Sequence, residues 1–118
     1  MALHSNLPIY KVAYDLLSVA TDLTRDMPRD YRASIGAKIR EECVELVILI
    51  FRANIATQKV PHLDQLIEHL QVTELLIRLS CDKRFISRVQ YAKAVELTGS
   101  IGRQANGWRK SSAASPVA

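Results

Sequence analysis

Along most of the chain, apolar residues recur every three or four positions, the spacing that lines one face of an α-helix. The first run, Ile9, Val12, Leu16, Val19 and Leu23, predicts a helix over about residues 8–26, with Pro8 in the opening turn where a missing N–H costs nothing. Met27-Pro28-Arg29 interrupts it, and Asp30 reads as the N-cap of a second helix over about 30–58 seamed by Ile35, Ile39, Cys43, Leu46, Ile50 and Ala53. Lys59-Val60-Pro61 is the next break. A third helix over about 61–83 carries Leu63, Leu66, Leu70, Thr73, Ile77 and Ser80 on one stripe, broadened by Ile67, Leu75, Leu76 and Leu79. After a turn at Lys83–Ile86, the S-x-x-Q pattern of Ser87 and Gln90 predicts a capping box opening a fourth helix over about 87–109, followed by a small, polar tail at 111–118. Long helices joined by short turns must run antiparallel, so the pattern predicts an all-α fold: one domain over 1–118, an up-down-up-down four-helix bundle.

The second helix exceeds what a lone bundle needs. Val44, Glu45, Leu46, Val47, Ile48, Leu49, Ile50 and Phe51 are apolar almost all round, which predicts burial on more than one side and an oligomer interface through Val44, Val47, Ile48 and Phe51. Glu45, inside this run, is expected to be buried on an arginine from another helix, with Arg78 and Arg103 as the two candidates.

Composition adds a charge asymmetry. The net charge is +4, from 16 Lys and Arg against 12 Asp and Glu. Seven bases, Lys83, Arg84, Arg88, Lys93, Arg103, Arg109 and Lys110, follow residue 82 with the single acid Glu96 among them, an excess that suits a phosphate-rich partner. No apolar stretch reaches the roughly 18 residues of a membrane span. The opening residues lack the basic and apolar regions of a secretory signal, so the expected address is cytoplasmic. Cys43 and Cys81, far apart and outside any Cys-x-x-Cys, read as reduced packing residues.

Catalytic chemistry finds little footing. The sequence lacks the Glu-x-x-His of a bundle di-metal site, and His4, His62 and His69 read as polar positions without partner carboxylates at ligand spacing. Glu41, Glu42 and Glu45 do not form a tuned acid–base pair, and neither a phosphate-binding glycine loop nor a nucleophile elbow is present. The chain reads as a non-enzyme with no cofactor. Gly99, Gly102 and Gly107 permit close helix approach, with Gly107 as a candidate C-cap. Two readings of Trp108 stay open, packing at the bundle end or stacking beside Arg103, Arg109 and Lys110.

Leu7-Pro8-Ile9-Tyr10-Lys11, Ile35-Gly36-Ala37-Lys38-Ile39, Phe51-Arg52-Ala53-Asn54, Leu76-Ile77-Arg78-Leu79 and Ile101-Gly102-Arg103 with Trp108, in this order over about 7–110, resemble the accessory variability determinant (Avd) proteins of diversity-generating retroelements. That family is itself similar to the bundle proteins encoded in intervening sequences of 23S ribosomal RNA genes. The resemblance implies a homopentameric barrel with a basic surface. It implies as partners a retroelement reverse transcriptase and nucleic acid, template RNA and possibly DNA or hybrid duplex. Arg78 and Arg103, with Arg52 and Lys38 behind them, are the functional bases it carries over. The alternative is an intervening-sequence-type structural oligomer with no reverse transcriptase in its pathway.

Overall fold

The computed structural model describes Leu3 and residues 6–114; His4 and the end of the tail, 115–118, lie outside the described residues. The helices are α1 (Pro8–Arg25), α2 (Arg29–Tyr31), a π-helical turn (Arg32–Gly36) running on into α3 (Ala37–Ile55), α4 (Val60–Asp82) and α5 (Arg88–Ala114). The long helices α1, α3, α4 and α5 form the four-helix bundle, in which α1 and α4 each pack between α3 and α5. The bundle is a rod of 51 × 20 × 19 Å.

The buried rows follow the helical period. In α4 all six expected residues, Leu63, Leu66, Leu70, Thr73, Ile77 and Ser80, are buried. Thr73 and Ser80 satisfy their hydroxyls on the carbonyls of His69 and Leu76, one turn back, at 2.9 and 2.8 Å. In α1 the buried row is Ile9, Ala13, Leu16, Ala20 and Leu23, with Val12 and Val19 on its half-buried flanks. α3 buries Ile39, Cys43, Leu46, Leu49, Ile50 and Ala53, while Ile35 is half-buried before it. Each large side chain buried in these rows contributes about 1.5–3 kcal/mol. The row on α5 is thinner, Ala94, Thr98, Ile101 and Ala105. Tyr91, Leu97 and Trp108 pack beside it, so Trp108 is a packing residue.

The helix ends correct several expectations. Asp30 is not an N-cap: the helical segment opens at Arg29 behind Pro28, without a side-chain cap bond. The second long helix stops at Ile55 instead of near 58, because Ala56 turns extended (ψ 144°). The Lys59 ammonium then donates to the carbonyls of Ala53, Asn54 and Ala56 at 2.9, 3.0 and 3.0 Å, closing the helix end with a cation. At the end of α4 the Phe85 N–H reaches the Ser80 carbonyl at 2.8 Å and the Arg84 N–H the Cys81 carbonyl at 3.0 Å, a Schellman closure. Its left-handed position, usually glycine, holds Arg84 at φ 62°, which costs roughly 1–2 kcal/mol for an L-residue.

The capping box is present: Gln90 N–H donates to Ser87 Oγ at 3.1 Å and Ser87 N–H to Gln90 Oε1 at 2.9 Å. α5 continues to Ala114, past the expected end near 109 and into the expected tail. Gly107 therefore caps nothing; it lies inside the helix, and a Cβ there would meet no atom within 4 Å. Gly102 faces only Leu70 Cδ2 at 3.5 Å, and the space over Gly99 is used by the Arg103 guanidinium of the same helix at 3.3 Å. The close approach belongs to Gly36, where a Cβ would stand 3.3 Å from both Met27 Sδ and Thr24 Cβ of the α1 end.

Because the two capping-box bonds share one geometry, Ser87→Ala should lower stability by about 1 kcal/mol, and Gln90→Ala added to it should cost less than it does alone. Urea denaturation of the single and double variants measures this, and strictly additive losses would contradict a coupled box.

Candidate nucleic-acid and partner surface

The buried carboxylate of this bundle is Glu42, on the core side of α3, and not Glu45, which is half-buried and makes no ion pair within 4 Å among the described residues. Glu42 holds Lys38 Nζ at 3.1 Å one turn back and His69 Nδ1 of α4 at 2.6 Å. An ionised carboxylate only accepts, so Nδ1 carries the proton of that hydrogen bond. Burial alone would raise the Glu42 pKa, but the hydrogen bonds from His69 and Lys38, together with their charges, outweigh it and hold the group below its ordinary value. His69 is thereby a partly buried structural partner. The neighbouring Cys43 thiol is pushed up to about 12, by burial first and then by Glu42, which keeps it protonated and inert.

The ten candidate phosphate-binding residues fall into two groups. Lys38 is committed to Glu42, Arg78 lies 3.6 Å from Asp82 on the surface, and Arg109 pairs with Asp64 across α4 and α5. Arg52, Lys83, Arg84, Arg88, Lys93, Arg103 and Lys110 are exposed and make no ion pair within 4 Å among the described residues. They are not one patch. Arg88 opens α5 and Lys110 stands 22 positions further, ~33 Å along the helix at 1.5 Å per residue. The basic third of the sequence is thus spread along the rod from one end to the other.

One end gathers more than the charge run showed. The connection from α1 to α3 and that from α4 to α5 meet there, joined by stacking of Tyr31 on Phe85 at a centroid distance of 4.0 Å and 21° between planes. This brings Arg29 and Arg32 to the same end as Lys83, Arg84 and Arg88. The acids Asp26, Asp30 and Asp82 also lie here, and Arg25 is held by Asp22 and Asp26 at 3.8 and 3.6 Å.

On the outside of α3, Val44, Phe51 and Ile55 are exposed by 43, 42 and 51 %, with half-buried Ile48 between them, an apolar row at spacings of four, three and four. Val47, at the flank of this row, is half-buried and packs against the core. Ile55, overlooked in the sequence pattern because it follows the polar Arg52 and Asn54, extends the row. No group of three or more His, Cys, Asp and Glu able to hold a metal occurs among the described residues, and no helix among them is long and apolar enough to cross a membrane.

These features define the class: an antiparallel four-helix bundle carrying an apolar row and unpaired cations on its exterior, with no catalytic constellation among the described residues. The sequence profile of the family described as bAvd-like matches residues 7–112, and the chain belongs to that family. No curated protein matches the chain.

Because the folded pKa of Glu42 lies below its unfolded value of about 4.3, the pair stabilises the fold fully above that value and loses its contribution as pH falls through the lower folded value. Glu42→Gln should therefore cost about 1–2 kcal/mol at pH 7, with the difference from wild type narrowing below about pH 4. Urea titrations at pH 7 and 3.5 test this; an equal difference at both would remove the charge from the explanation.

Proposed function

We propose that this chain is a non-enzymatic accessory subunit of a diversity-generating retroelement. In this role it binds the element's reverse transcriptase and its template RNA or cDNA in the cytoplasm and supports mutagenic copying. The observation that carries the reading is membership of the bAvd-like family over residues 7–112. The exposed, unpaired cations support it, since Lys and Arg side chains neutralise phosphates largely without reading sequence. The apolar row of Val44, Ile48, Phe51 and Ile55 supports self-association, in this reading as a homopentamer, and several copies would multiply a weak cationic surface by avidity.

Binding of the purified protein to a structured RNA, followed by fluorescence anisotropy across a salt series, tests the nucleic-acid part. Affinity should fall log-linearly with salt. Arg103→Ala should weaken binding more than Arg78→Ala, because Arg78 already has Asp82 beside it at 3.6 Å. Failure of a folded protein to bind at low salt would leave an intervening-sequence-type structural oligomer as the better account.

Self-association is tested by Val44→Glu, which places a charge in the apolar row. The variant should sediment as a smaller species than wild type while keeping its helicity. A wild-type protein that is already monomeric at micromolar concentration contradicts the interface.

A further inference from the structure

At the α4–α5 end of the rod, Cys81, Asp82, Arg84, Phe85, Ile86, Ser87, Arg88 and Gln90 line an open groove of about 740 Å³. Three features of this end depart from what a plain bundle turn requires. Arg84 occupies the left-handed position that glycine would fill with less strain. Phe85, half-buried in the groove wall, is backed by Tyr31 from the opposite connection. The segment bearing Tyr31 runs directly into the π-helical turn at Arg32–Gly36, which adds a residue to the helical turn after it.

We propose that this groove takes an unpaired nucleotide of a single-stranded nucleic acid, with Arg84 and Arg88 on the phosphates and Phe85, backed by Tyr31, as the aromatic support for the base. The proposal rests on the nucleic-acid reading above and narrows it to one end of the molecule and one state of the strand. Both guanidiniums line the groove, are exposed, and lack an ion-pair partner within 4 Å among the described residues. The groove's carboxylate, Asp82, has Arg78 at 3.6 Å, which offsets its repulsion of phosphate. The side chains of Ser87 and Gln90 accept one hydrogen bond each in the capping box; the hydroxyl proton of Ser87 and the side-chain NH2 of Gln90 are left to donate to a base edge. An aromatic wall is of use only to a base whose face is free, and the bases of a duplex are covered by their neighbours; this favours a single strand over a double one. The two connections form the site only when folded, because Tyr31 and Phe85 are joined by tertiary packing alone.

The test uses the full chain and fluorescein-labelled twelve-residue oligonucleotides: single-stranded RNA, single-stranded DNA, and the duplex of the same sequence. Arg84→Gly is the informative variant, because glycine suits the left-handed backbone. It should raise the melting temperature, yet weaken single-strand binding at least threefold and reduce the magnitude of the log–log salt slope by about 0.7. Arg88→Gln should weaken binding to a similar extent with unchanged helicity. The RNA and DNA arms show whether the 2′-hydroxyl contributes. Arg84→Gly binding as well as wild type, or a wild type that prefers the duplex, overturns the groove while leaving nucleic-acid binding to other surfaces. A folded wild type that binds none of the three strands overturns both readings.

Discussion

Connections of three, four and five residues, 26–28, 56–59 and 83–87, leave each long helix no path except straight back along its predecessor. Much of the remaining structure is a response to that constraint. A helix that must reverse within so few residues exposes its last carbonyls beside the first N–H groups of the next helix, and each reversal satisfies these with different chemistry. The ammonium of Lys59 gathers three carbonyls after α3, a left-handed arginine folds the end of α4 back on itself, and a reciprocal side-chain box starts α5. After α1 the Arg32 guanidinium reaches back and donates to the Arg25 carbonyl at 3.1 Å. There the helix restarts almost at once through a π-turn, and Gly36 lets it pass against Met27 and Thr24.

Packing inside the rod was largely legible in the sequence, because burial follows the helical period: the α4 stripe is buried at every expected position. The polar part of the core was harder to place. Glu42 immediately precedes Cys43 and His69 immediately precedes Leu70, so each sits beside a seam residue and three positions after another, Ile39 or Leu66. That position was a readable signal of a polar pair facing across two helices. Glu45 is the carboxylate with the more apolar sequence neighbours, but on a helix adjacent residues point about 100° apart and do not share surroundings.

The surface was legible in kind and not in arrangement. A run of bases along the last third of the chain is a line on paper, but a helix of 27 residues spreads that line over the length of the molecule. What assembles a local site is the meeting of distant turns. Tyr31 and Phe85, which no sequence spacing relates, stack because the antiparallel order puts the first and third reversals at the same end. The glycines of α5 illustrate the converse: prominent in sequence, they touch little, whereas Gly36, marked only by its family context, stands at the tight contact.

The same topology brings the beginning of α1 and the end of α5 to one end of the rod, opposite the Tyr31–Phe85 stack. In practical terms, a fluorophore attached at the first turn of α1 or the last turn of α5 occupies the same neighbourhood and leaves the far end unobstructed. A label in the 83–87 turn sits instead beside the aromatic stack, so one pair of differently placed labels can report on each pole of the bundle in turn.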